Sequence, residues 1–256
     1  MKRRREPFTS RRATAAQDAI PGDFYGGAVL GAETIAASAL DPGHVAALTD
    51  EARSRDADDY VEFVAQFVES GRARSPHWRY ADIVTVLGAA AELLQPATYL
   101  EIGVRRGRSL AVVVHRSPAC DVIGVDFWNE GYAGIDNPGP EHVQRIASEA
   151  GHTGTLELIS GDSHVVLPQL FSNGRELSFD LITVDGDHSK RGATRDLQDV
   201  LPRLRIGGAL VFDDISHPAH PYLFDVWREV VASDRRFTTW EFDDVGYGVA
   251  VAVRRW

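Results

Sequence analysis

An open α/β fold, with a mostly parallel sheet and helices on both faces, is what the sequence predicts. Three observations carry this. From residue 98 onward, short apolar runs alternate regularly with helical segments. The first run, Tyr99-Leu100-Glu101-Ile102, ends in an acid and passes into Gly103-Val104-Arg105-Arg106-Gly107, a glycine turn of the kind that leads a strand into a helix. The chain closes with two apolar runs on either side of Asp243 to Gly246, which read as a hairpin.

Taken in order, residues 1–40 mix Gly, Ala and Pro without a clear period and read as a basic, flexible segment. In 44–69, Val45, Leu48, Tyr60, Phe63, Val64 and Phe67 recur at helical spacing, giving two helices broken near 55–58. Residues 71–79 form a polar loop in which His77, Trp78 and Arg79 are lid candidates, and 80–94 is a helix that ends before Pro96. Together 41–96 are expected to be a helical cap on a core formed by 97–256. Within that core the strands are 98–102, 121–125, 156–160, 181–184 and 209–212, and the helices 108–116, 139–150, 163–172 and 190–204. A further helix at 223–232 precedes the hairpin 237–242 and 247–253. Ser109 reads as an N-cap residue for the helix after the glycine turn.

Composition narrows the function. The 256 residues are 44% hydrophobic, enough for one full core. The formal net charge is -10, and because six basic residues against Glu6 make the first twelve residues +5, the remainder carries -15. A body that acidic is a poor partner for nucleic acid. No stretch approaches the roughly 18 apolar residues of a membrane span, and Ser10-Arg11-Arg12 is not followed by an apolar segment, so no export signal is expected and the cytoplasm is the expected compartment. Cys120 is the only cysteine, which excludes an intrachain disulfide and a thiolate metal cluster.

Ligands of an open parallel sheet collect at the carboxyl ends of its strands. A dinucleotide fingerprint G-x-G-x-x-G would need glycine where Arg105 stands, which disfavours NAD or FAD. Asp126, 25 residues after Glu101, ends the second strand where an acid can accept both hydroxyls of a ribose. Val184-Asp185-Gly186-Asp187-His188 and Phe212-Asp213-Asp214-Ile215 follow the fourth and fifth strands. If these strands are neighbours, Asp185, Asp213 and Asp214 converge, and three carboxylates at one place call for a hard divalent cation such as Mg²⁺. The competing readings are structural: a turn without ligand, acids that cap loops, and a solvent-exposed His188. Trp128, His217, His220 and Tyr222 are candidates to line a pocket.

Glu101-x-Gly103-x-x-x-Gly107 resembles the first motif of class I S-adenosylmethionine (SAM) dependent methyltransferases, in which the acid and the glycine turn, here with Gly107 and Ser109, hold the amino acid end of SAM. Asp185 with Asp213-Asp214 resembles the metal site of the divalent cation-dependent O-methyltransferases, of both the catechol and caffeoyl-CoA type and the bacterial natural-product sugar and macrolide type. The segment "SKRGATRDLQDVLPRLRIGGALVFDDISHPAHPYLFDVW" is especially similar to the latter. The resemblance covers about residues 80–253. It implies a Rossmann-like seven-stranded methyltransferase sheet whose final strand inserts antiparallel, with SAM and Mg²⁺ or a similar cation as cofactors. It further implies Asp185, Asp213 and Asp214 as metal ligands, Asp185 also beside the cofactor, His188 as general base, and Ser160-Gly161-Asp162-Ser163 as the adenine segment, contacting through Asp162 and Ser163. Catechol-type enzymes usually have Asn at the position of Asp214, so this site is more anionic. The implied reaction is Mg²⁺-assisted methyl transfer to a hydroxyl of a small natural product, sugar or catechol-like molecule, without nucleic acid or membrane partner and with homo-oligomerisation open. The alternatives are a methyltransferase-fold protein that binds without catalysing, and an NAD-dependent oxidoreductase.

Overall fold

The structure is a computed structural model that describes residues 27–131 and 136–256. The basic start of the chain and its paired arginines lie outside the described residues. Four helices come first: α1 Ala32–Ala39, α2 Pro42–Arg55, α3 Asp59–Arg74 and α4 Ile83–Leu94. Alternation then begins with β1 Thr98–Ile102, α5 Arg108–Arg116, β2 Asp121–Asp126, α6 Pro140–Glu149, β3 Leu156–Ser160 and α7 Ser163–Ser172. It continues through β4 Phe179–Val184, α8 Lys190–Val200, β5 Leu204–Asp213 and α9 Leu223–Trp227, whose last turn widens into a π-helix over Arg228–Ala232. The hairpin β6 Phe237–Phe242 and β7 Val249–Arg254 completes a seven-stranded sheet of order β3-β2-β1-β4-β5-β7-β6. The β1 to β5 pairs are parallel, and β7 enters antiparallel between β5 and β6, as expected.

Alternation along the central strands builds two cores. Tyr99, Leu181, Ala209, Val211, Val249, Val251 and Val253 face α1, α4, α5 and α6. Leu100, Ile102, Ile182, Val184, Leu210, Phe212, Ala250 and Ala252 face α7, α8 and α9. Both faces of the sheet are therefore covered, which is why these strands read as continuous apolar runs.

Several boundaries differ from the sequence reading, each for a physical reason. Ala32–Ala39 is a helix inside the stretch that shows no period, because its buried face is built from Ala32, Ile35, Ala36 and Ala39, too small to stand out. In the segment expected to be a cap, α4 is buried around most of its surface and lies in the helix layer of the sheet, started by a capping box between Asp82 and Thr85. Only α2 and α3 stand outside that layer. The helix expected over 190–204 stops at Val200, where Pro202 allows only a short 3₁₀ turn, and β5 starts five residues earlier than expected, with an irregularity in its pairing with β4 between Leu204 and Ala209. Of the stretch 71–79 expected to be a loop, 71–74 belong to α3, and the remainder is pinned: Trp78 packs on Gly71 and stacks on Tyr80 with ring centroids 5.6 Å apart.

Helix α5 leaves β1 on one face and α8 leaves β4 on the other, so the order reverses at β1/β4 and a crevice opens above their carboxyl ends. Gly103 closes β1 at φ 87°, and a Cβ there would sit 1.9 Å from the Asp185 carbonyl oxygen. Gly103→Ala is expected to lower stability by at least about 2 kcal/mol, since it adds left-handed backbone strain to an overlap with backbone. Chemical denaturation of the two proteins checks this, and equal midpoints would contradict the packing described.

Candidate active site

Glu101 is fully buried at the end of β1. The Ser109 hydroxyl donates to its Oε1, so Ser109 serves the acid, and Gly107, at φ 75°, takes the N-cap position of α5 that the sequence suggested for Ser109. Glu101 Oε2 is buried without a hydrogen-bond partner, the adjacent Tyr99 hydroxyl being paired with Thr183 Oγ1 at 2.8 Å. Burial, and then the charge of Asp185, pushes the Glu101 carboxyl up to about 8, against the favourable Ser109 bond and the Tyr99 hydroxyl beside it. A buried acceptor of this kind at a glycine turn fits a cationic donor such as an ammonium group.

The other strand ends are held by side chains bonded to backbone. Asp126, at the end of β2, accepts the N–H of Arg105 at 2.8 Å and that of Trp128, leaving further lone pairs on each oxygen. Trp128 has φ 58°, and its indole donates to Ser160 Oγ at 2.9 Å, tying β2 to β3. Asp162 caps α7 by accepting from the His164 N–H. The Ser163 hydroxyl points into the protein and donates to the buried Asp196 at 2.7 Å, so its side chain is committed away from the crevice.

Asp185 follows β4, and Asp213 and Asp214 end β5 beside it. His188 Nε2 lies 3.1 Å from Asp185 Oδ1 and 3.6 Å from Asp214 Oδ2, and donor atoms of these three residues all fall within 4.8 Å of one another. Asp213 stands outside that trio but acts on it through charge. Burial first, then Asp185 and Asp214, push its carboxyl well above the ordinary range, and burial with Asp185 pushes Asp214 up to about 6. Burial opposes a charged His188, yet the Asp185 bond and the charges of Asp185, Asp214 and Asp187 outweigh it and raise its pKa. Asp187 turns aside and accepts from the Ser189 N–H at 2.8 Å beside Gly192. Two carboxylates and an imidazole around one point, with a third acid behind, fit a divalent cation.

The loop after β5 walls this point. Tyr222 donates to the His188 carbonyl at 2.9 Å, the His220 ring lies 5.2 Å from that of His188, and His217 packs on Tyr247 at 4.4 Å. Sequence reasoning missed Tyr60, Asp82 and Tyr247. Tyr60 reads as one more apolar helix position in the sequence, and Asp82, which the sequence reading did not single out, caps α4 and accepts from the Tyr80 hydroxyl at 2.9 Å.

The raised carboxyl of Glu101 has a stability consequence. Between the ordinary value of 4.5 and about 8, the folded state keeps a proton that the unfolded chain releases, so rising pH removes stability across that window. The full shift corresponds to at most about 5 kcal/mol. The melting temperature of ligand-free protein is expected to fall from pH 5 to pH 8, and to fall less in Glu101→Gln. Parallel curves for the two proteins in scanning fluorimetry would contradict the burial of this acid.

Residues 100–215 match the family model described as a methyltransferase domain. No curated protein matches the chain by sequence. Among solved structures, the O-methyltransferase TomG from Streptomyces achromogenes, involved in tomaymycin synthesis and in complex with SAM, is 23% identical, with 66% of this chain and 78% of that one covered and a TM-score of 0.52. An O-methyltransferase from Bacillus cereus in complex with S-adenosylhomocysteine (SAH) is 16% identical over 88% and 92% at 0.52, and the calicheamicin methyltransferase CalS11 15% over 84% and 92% at 0.54. At these identities the structures share the fold. Fold, glycine turn and family match agree: residues 100–215 match a methyltransferase domain, in a chain built on the class I SAM-dependent methyltransferase fold.

Proposed function

We propose that this SAM-dependent methyltransferase delivers its methyl group to a hydroxyl oxygen of a small-molecule acceptor, with a divalent cation, Mg²⁺ or a similar ion, at the acidic strand ends. The observation that carries the reading is the pairing, in one crevice, of the partnerless buried Glu101 Oε2 with the Asp185, His188 and Asp214 cluster. The first accepts a cationic amino acid end and the second holds an acceptor. TomG and CalS11 are named for tomaymycin and calicheamicin chemistry, which supports a natural product, sugar or catechol-like acceptor. With one cysteine in the sequence the chain suits the reducing cytoplasm.

The sulfonium donor is already activated, so the protein must align the two partners and relieve a poorly nucleophilic hydroxyl of its proton. Glu101 with the Gly103 to Gly107 turn holds the amino acid end of SAM, Asp126 the ribose, and Asp162 the adenine side. Asp185 and Asp214, with Asp213 behind them, would hold the cation, which supplies Lewis acidity toward the acceptor hydroxyl. His188 takes the proton: Asp185 orients its ring through Nε2, and the surrounding carboxylates stabilise the imidazolium that results.

The test is transfer of labelled methyl from SAM to a panel of catechols, phenolic polyketides and nucleotide sugars. Activity on a member of the panel is expected to vanish in EDTA and return with Mg²⁺ or Mn²⁺, with SAH affinity little changed. Asp185→Ala is expected to abolish the metal rescue. His188→Ala is expected to lower kcat by about 10² to 10⁴ with SAH affinity nearly intact. Full activity in EDTA would make the acids structural, and wild-type turnover in His188→Ala would move the base elsewhere.

A further inference from the structure

The turn after β1 carries three arginines, and two of them reach away from the crevice to the N-terminal helices. Arg106 donates from Nε and Nη2 to the two carboxylate oxygens of Asp56 at 2.8 and 2.9 Å, a bidentate pair. Arg108 donates through Nη2 to Asp58 and lies 3.4 Å from Asp56. None of the four side chains is more than 27% exposed, so water screens these charges weakly. Burial works against ionisation of both acids, and the hydrogen bonds and charges of the arginines outweigh it, holding both below the ordinary carboxylate range. His142 of α6 comes within 3.9 Å of Asp56 from a third side.

Asp56 and Asp58 form the joint between α2 and α3. Asp58 Oδ1 also accepts the Val61 N–H at 2.9 Å, so the carboxylate that starts α3 is the one gripped from the cofactor turn. At the second residue of α3, the Tyr60 ring lies 5.8 Å from the Arg108 guanidinium carbon. A short chain of ion pairs thus runs from the glycine turn to the joint, with the Tyr60 ring beside the last of its arginines.

We propose that the Asp56–Arg106 and Asp58–Arg108 pairs are positioning residues that couple the cofactor turn to the α2–α3 joint, so that filling the turn orders the joint and the start of α3. The inference rests on the reading that SAM occupies the glycine turn. Ordering of the joint and ordering of the turn then favour each other by the same factor, because a coupling free energy is reciprocal.

The test uses the full chain with SAH as probe, reading SAH affinity by calorimetry and amide exchange in the peptide covering 55–64 by mass spectrometry. In the wild type, SAH is expected to slow exchange in that peptide at least about fivefold. Asp56→Asn is expected to weaken SAH binding about fivefold to tenfold and to remove the SAH dependence of exchange. Arg106→Lys should keep part of the coupling that Arg106→Ala loses. Variants that melt at lower temperature but keep wild-type SAH affinity and SAH-dependent protection would show a merely structural role and overturn the proposal. Should Asp56→Asn fail to fold, the wild type decides alone: SAH bound with exchange in 55–64 unchanged overturns the coupling while leaving the cofactor reading intact. No SAH binding by the wild type overturns both.

Discussion

Mutual repulsion among carboxylates is the constraint on which the crevice depends. Glu101, Asp185, Asp213 and Asp214 share the carboxyl ends of β1, β4 and β5, where two unit charges about 5 Å apart at an effective dielectric constant of 20 repel by about 3 kcal/mol. The chain offsets part of this from its own resources. Ser109 bonds Glu101, His188 sits between Asp185 and Asp214, and raised pKa values keep protons on the acids that burial penalises most. What is left favours cations. An ammonium at Glu101 and a divalent ion at Asp185 and Asp214, as proposed above, would answer the same imbalance at two ends of one groove.

The backbone at these ends is held in conformations that ordinary residues avoid. Arg105, Trp128 and Asp214, at φ 50°, 58° and 61°, follow β1, β2 and β5, three strands that border the crevice. Such strain persists only where the surroundings enforce it, and it concentrates at functional sites. Here the enforcing contacts are identifiable: Asp126 grips the N–H groups of both Arg105 and Trp128, and the Trp128 indole reaches Ser160.

Much of this was legible in the sequence because central strands covered on both faces must be apolar and must end in loops that carry the chemistry. The order of strands, the glycine turn and the paired acids after β4 and β5 follow from runs such as Asp121–Asp126 and Phe179–Val184. Helix α1 was hidden because alanines bury without marking a period. The local role of Ser109 was misread for a related reason: a serine at a helix start is an N-cap by local rules, and only the tertiary fold brings Glu101 within reach of its hydroxyl, as it brings Asp196 within reach of that of Ser163. The same limit applies to Asp56 and Asp58. In sequence they are a polar break between helices, and their arginine partners lie fifty residues away.

The central claim is that these strand ends form one site for SAM and a divalent cation. Its most direct measurement is an anomalous difference map from a crystal grown with SAH and Mn²⁺. The account predicts SAH with its amino group on Glu101 and a manganese peak touching Asp185 and Asp214. SAH absent from the glycine turn, or a crevice without a peak at saturating Mn²⁺, would contradict it.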